Sequence, residues 1–189
     1  MTKTLLACLL AAGVVTAHAE IATYAIDPSH TFVTFEANHM GTSTSRGRFD
    51  KKEGTIALDK SAKAGKVDIT IDATSISTGV PALDTHLKSK DFFNAAEFGT
   101  VKFSADKFAF NGDKVSEVTG SLTLLGKTQP VTLKASNFNC YINPMLKRET
   151  CGGDFETTIT RSQYGMAYGL NYGIPDSIRL LIQIEAIKQ

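Results

Sequence analysis

The chain has 189 residues, 42% of them hydrophobic and 8% aromatic, with 20 Lys and Arg against 19 Asp and Glu. That length suits one domain with a sizeable core. The near-neutral balance, with no basic stripe, excludes a phosphate-driven nucleic-acid reader, which needs an excess of cation to release counterions.

The first segment, "MTKTLLACLLAAGVVTAHAE", has Lys3, an apolar run from Leu5 to Val15, and Ala17-His18-Ala19. This is the layout of a secretory signal peptide spanning residues 1–19, with cleavage expected after Ala19 and one domain over residues 20–189. The run is too short for a membrane-spanning helix, which needs about 20 apolar residues. A lipid anchor on Cys8 fits less well, because Leu6 is poorly placed in a lipobox and little apolar sequence precedes the cysteine.

Beyond it, period two dominates. "FVTFEA" (32–37) and "GTIALD" (54–59) alternate weakly, and "KVDITIDA" (66–73) strongly, with Val67, Ile69, Ile71 and Ala73 opposite Lys66, Asp68, Thr70 and Asp72. "TVKFSA", "GSLTLL", "PVTLKA" (Val131, Leu133, Ala135) and "DFETTIT" follow, and "SIRLLIQIEA" sets Ile178, Leu180, Ile182 and Ile184 against Arg179, Gln183 and Glu185. One apolar and one wet face per strand marks antiparallel sheet. "FNGDKV" (110–115) reads as a hairpin turn. We expect about eight strands in an all-β fold, as a sandwich or a closed barrel. Segments 38–43, 81–90 and 160–165 read as helical.

Residues 83–103, "LDTHLKSKDFFNAAEFGTVKF", concentrate Asp84, His86, Asp91 and Glu97 before paired phenylalanines. Carboxylates around a histidine suggest a metal site or an acid–base pair. Pro81 and Asp84 are equally the start of a short amphipathic helix, with Leu87 turned to the phenylalanines. No second histidine or cysteine stands at ligand spacing, so His86 is not expected to bind metal and no metal site is expected. Ser104-x-x-Lys107 matches a nucleophile motif but lies in a strand, and H-E-x-x-H and G-x-S-x-G are missing. No catalytic set emerges, and we expect a non-enzyme without a cofactor.

Cys140 and Cys151 flank "YINPMLKRET" and remain after signal removal, so in an oxidising compartment they are expected to form a disulfide at the base of a long hairpin loop. "YGMAYGLNYGIP" sets Tyr164, Tyr168 and Tyr172 before glycines. It reads as a mobile loop, either a plain connector or an aromatic flap over a cavity mouth.

The run "DTHLKSKDFF" resembles the signature segment of the YceI-like family. "YAIDPSHTFVTFEANHMGTSTSRGRFD", "SIST", "VTGSLTLLGKTQPVTL" and "TITRSQYGM" are similar to other family segments in order, across essentially the whole mature chain. Leu83 and Leu125 depart from the pattern, standing where an arginine and a polar residue are common. The resemblance implies a periplasmic, lipocalin-like, eight-stranded antiparallel barrel with one or two short helices, monomeric or homodimeric. It also implies binding of a long isoprenoid lipid, either a polyisoprenoid or an isoprenoid quinone such as ubiquinone. For some members it implies association with cytochrome b561-type membrane proteins. The expected tail site is Phe35, Ile69, Ile71, Phe103, Leu124, Leu133, Ile182 and Ile184, with the head group at a mouth near the 81–90 helix or the loop of Tyr164 and Tyr168. An enzyme using Asp84 and His86 on a lipid head group, and a packed-core module binding an envelope protein, are the alternatives.

Overall fold

The structure, a computed structural model, describes residues 21–189. The expected signal segment lies outside the described residues. Among the described residues, eleven antiparallel strands form one sheet. They are β1 (Ala22–Ile26), β2 (Phe32–His39), β3 (Ser43–Phe49), β4 (Lys52–Asp59), β5 (Ala64–Asp72) and β6 (Ile76–Ser77), then β7 (Thr100–Asn111), β8 (Lys114–Leu124), β9 (Lys127–Ile142), β10 (Glu149–Thr160) and β11 (Ser177–Lys188). Among the described residues a single α-helix, α1 (Pro81–Lys88), stands between β6 and β7.

Eight of the strands, in the order β1-β4-β5-β7-β8-β9-β10-β11, close into a ring through pairing of β1 with β11, where Tyr24 faces Lys188 and Ile26 faces Ala186. The other three extend ring strands past a kink. β2 follows β1 and also pairs with β11, β3 leads into β4, and β6 follows β5 beyond a 3-10 turn at Ala73–Ser75. The result is an eight-staved closed barrel, not a sandwich. Closure leaves no free edge along the ring.

The alternation seen in the sequence sets the inner face. Val67, Ile69 and Ile71 are buried while Lys66 and Asp68 face out. Ile182, Ile184, Leu133 and Phe35 pack against the core yet keep accessible surface. They point into a hollow lumen, which removes contacts on one side of each side chain. Elsewhere the wall is squeezed. A Cβ on Gly152 or Gly153 would come within 2.1 Å of the carbonyl oxygen of Ile184 or Asn137, so only glycine lets β10 fit between its neighbours.

At the end of the barrel bearing α1, called here the upper end, β6 does not pair with β7. Helix α1 and the segment after it fill that gap. Pro81 starts the helix, and Asp84 reaches back to accept from the Thr78 amide (2.7 Å) and hydroxyl (2.6 Å). Phe93 and Ala95 amides then donate to the carbonyls of Leu87 and Lys88. Residues 83–103 are therefore a capped helix and plug that run into β7.

Segment 38–43 is not helical. It is the β2–β3 hairpin, with Met40 (φ 55) and Gly41 (φ 74) left-handed and the Gly41 amide donating to Asn38 Oδ1 at 2.6 Å. Segment 160–165 makes only a 3-10 turn, Arg161–Tyr164. Cys140 and Cys151 are disulfide-bonded. They face each other in register, with two further residue pairs beyond them, so the expected long loop shrinks to a tight turn at Asn143–Arg148.

Candidate ligand-binding lumen

Two chambers occupy the barrel axis. The lower holds about 120 Å³ and the upper about 130 Å³ for the centres of water-sized molecules. Each is many times the roughly 10–15 Å³ that a single water needs. Val33, Ile71, Leu122 and Leu180 line both, forming a shared waist.

The lower chamber takes Ile69, Phe103, Leu133, Ile182 and Ile184 from the expected tail site, and Ile71 at the waist. No charged residue lines it. Tyr24 lies in its wall, with its hydroxyl donating to Glu149 Oε2 at 2.9 Å. Burial, reinforced by Glu149, pushes the Tyr24 pKa up to about 12. Burial would raise Glu149, but the hydrogen bonds from Lys60 and Tyr24 outweigh it and hold that carboxyl below its ordinary value.

The upper chamber takes Phe35 and Leu124 from the expected site and adds Phe49, Leu87, Phe92, Phe93 and Met166. Phe93 meets Phe49 edge-on, ring centroids 5.4 Å apart, so the plug locks into the wall through an aromatic pair.

One charged residue lines the upper chamber, Arg161, and only 2% of its surface is exposed. Nε donates to the Pro175 carbonyl (2.8 Å), Nη1 to Met166 (2.9 Å) and Nη2 to Ile174 (3.3 Å). Burial lowers its pKa, opposed by the nearby Asp176 carboxylate. Asp176 itself accepts from the Ser162 amide and hydroxyl, not from the guanidinium. A guanidinium has five N–H donors, so two remain beyond the three carbonyls named. Sequence reading placed this arginine in a family-like segment but gave it no role.

Tyr164 and Tyr168 do not line either chamber. Tyr164 is 1% exposed, and burial alone raises its pKa. Tyr168 lies on the rim against His86 and Phe92, with ring centroids 5.1 and 5.2 Å away. The segment expected as a mobile loop contains 3-10 turns at Arg161–Tyr164 and Leu170–Tyr172, and Arg161 bonds its backbone from beneath. His86 Nε2 lies 3.0 Å from Asp91 Oδ2 on the exposed rim, whereas the Asp84 carboxylate is engaged by Thr78. The two residues considered as an acid–base pair thus have separate partners. Cys140, Glu149 and Cys151 crowd together, but the two sulfurs are bonded to each other.

A family model described as the YceI-like domain matches residues 24–186. A UPF0312 protein of Pseudomonas aeruginosa (strain LESB58) is 34% identical, and Protein YceI of Salmonella arizonae 33% identical, each aligned over the whole of both chains. Among solved structures, BcnA of Burkholderia cenocepacia superposes with TM-score 0.71 at 23% identity, covering 85% of this chain and 98% of that one. The Campylobacter jejuni YCEI protein gives 0.70 at 26%, covering 80% and 90%. A polyisoprenoid binding domain from Saccharophagus degradans gives 0.61 at 14%, covering 90% and 100%.

Proposed function

The chain belongs to the YceI-like domain family, and from that membership and its hollow lumen we propose that it is a binding and carrier protein for a long-chain isoprenoid lipid. The observation that carries this reading is the pair of chambers meeting at an apolar waist, with one buried cation in the whole lining. Such a lining suits a branched hydrocarbon tail along the barrel axis and a small oxygen-bearing head group beside Arg161. The Saccharophagus degradans neighbour, described as polyisoprenoid-binding, supports the same ligand class. The cargo is a polyisoprenoid or an isoprenoid quinone such as ubiquinone, carried in the periplasm after export. A cytochrome b561-type membrane protein is the partner that a quinone carrier would serve. The protein acts by binding, not by turnover.

The test is lipid extraction and native mass spectrometry on protein purified from its own periplasm. Ile182→Phe, which fills the lower chamber, is expected to carry less lipid than the wild type. Arg179→Ala, whose side chain reaches outward to Glu36 and Glu156, is expected to carry the same amount. A wild type free of lipid overturns the carrier reading.

A further inference from the structure

The lower end of the barrel, opposite α1, carries a surface that the lumen does not explain. Nine large hydrophobic residues among those described are exposed, and four of them fall on one hairpin tip: Tyr141 (42%), Ile142 (66%), Met145 (87%) and Leu146 (44%). Isolated exposed apolar residues are ordinary, but a cluster marks an interaction site.

The tip cannot fold these side chains away. Cys140 is bonded to Cys151 at its base. Asn143 Oδ1 accepts from the amides of Met145 (2.9 Å) and Leu146 (3.0 Å), and the Asn143 amide donates to the Arg148 carbonyl (2.8 Å). The hairpin therefore presents its apolar side chains in a fixed shape, with Lys147 and Arg148 exposed immediately beside them.

The neighbouring turns and strand ends carry charge of both signs. Exposed Lys60, Lys63, Lys114 and Lys188 lie at this end of the barrel. The acidic groups there are Asp59, Asp113, Glu149 and Glu185, the last accepting from the Tyr141 hydroxyl at 3.3 Å. Hydrogen bonds from Ala62 and Ser61 hold Asp59 in its charged form, and Glu149 is paired with Lys60, so those two charges offset each other. The local excess is on the hairpin itself, where Lys147 and Arg148 have no ion pair among the described residues. An apolar tip beside two such cations matches the interface of an anionic bilayer, where apolar side chains enter the acyl boundary and cations meet lipid phosphates.

We propose that the Asn143–Arg148 hairpin docks the protein on an anionic lipid bilayer, with Ile142, Met145 and Leu146 entering the interface and Lys147 and Arg148 on the head groups. The proposal does not depend on the identity of the cargo.

The sequence contains no tryptophan, so a single introduced one reports its own surroundings. Met145→Trp in the full chain is mixed with vesicles of phosphatidylcholine alone or with added phosphatidylglycerol. The expected result is a blue-shifted emission on the anionic vesicles that is reversed by salt and lost in a Lys147→Glu/Arg148→Glu background. Tyr172→Trp, at the opposite end, should keep its aqueous emission.

Co-sedimentation of the untagged wild type removes any affinity contributed by the new tryptophan. Ile142→Ser/Leu146→Ser should weaken vesicle binding by about tenfold or more, since each loses apolar surface from the interface. Circular dichroism checks that the variants fold. No binding of the wild type to anionic vesicles, or binding unaffected by both double variants, overturns the proposal. A shift at residue 172 without one at residue 145 also overturns it.

Discussion

The ring of Phe35 lies across Gly47 on the facing strand, so close that a Cβ at residue 47 would sit 2.3 Å from Phe35 Cζ. The same Cβ would approach Thr78 Cγ2 to 2.9 Å. Gly47→Ala must therefore displace the ring that lines the upper chamber. We expect a loss of about 1–3 kcal/mol, as for other overpacked cores. Urea denaturation of the folded variant measures it.

Leu180 stands at the waist between the chambers. Leu180→Phe adds volume where the lumen is shared, and it should separate ligands by length. Isoprenoid chains that need both chambers are expected to lose binding, while short chains that fit one chamber keep it. Native mass spectrometry with a defined chain-length series distinguishes these outcomes, and equal binding across the series contradicts a continuous lumen.

Arg161→Met removes a cation that satisfies three carbonyls from one loop. Leaving buried acceptors unpaired should cost about 2–4 kcal/mol, seen as a lower melting temperature. Arg161→Lys is expected to recover only part of this, because a single ammonium cannot span the planar fork.

Acid sensitivity should include a contribution from Asp27. Burial pushes its carboxyl up, but hydrogen bonds from Ser29 and His30 outweigh this and bring it to about 2, against an ordinary 3.8. A carboxyl lowered on folding stabilises the native state fully above its unfolded pKa, and the contribution disappears as pH falls through the folded value. Asp27→Asn should flatten the loss of stability between pH 3.8 and about 2. His30 works in the opposite direction. Asp27 raises its pKa above 6.5, so its stabilising contribution is complete below 6.5 and is lost as pH rises through the raised value. Chemical denaturation across pH of Asp27→Asn and His30→Ala checks both signs.

Reduction of the Cys140–Cys151 bond, or its replacement by serines, should lower stability by about 3 kcal/mol on loop-entropy grounds. The barrel should remain folded, since closure rests on the β1–β11 ladder. Far-ultraviolet circular dichroism with and without reductant, followed by thermal melts, tests this.

Strand identity was legible where burial has period two, as along β5 and most of β7. In β5, Val67, Ile69 and Ile71 alternate without a break, and the same pattern placed Ile182 and Ile184 on the lumen side. Turn geometry was less legible. Asn38-His39-Met40-Gly41 reads as a helix start by composition, yet Met40 takes φ 55 because the Asn38 side chain holds the Gly41 amide. Leu125, likewise left-handed at φ 52 beside Gly126, turns β8 into β9 with a residue that carries no turn signal. Arg161 was hidden for another reason. Its acceptors are backbone carbonyls of residues 166, 174 and 175, which have no side-chain signature. The burial of Tyr164 follows from that same clamp, so its spacing with Tyr168 could not separate the inward ring from the one on the rim.

The β1–β11 seam joins segments from the two ends of the domain, with Tyr24 opposite Lys188. The β7–β8, β8–β9 and β9–β10 hairpins pair residues close in sequence, so their loops close early at little entropic cost. The seam closes the longest loop of all, so on entropic grounds it is expected to form last. A chain whose β11 has yet to be synthesised cannot close the ring. Throughout that interval its apolar inner face is available to a chaperone or to a lipid.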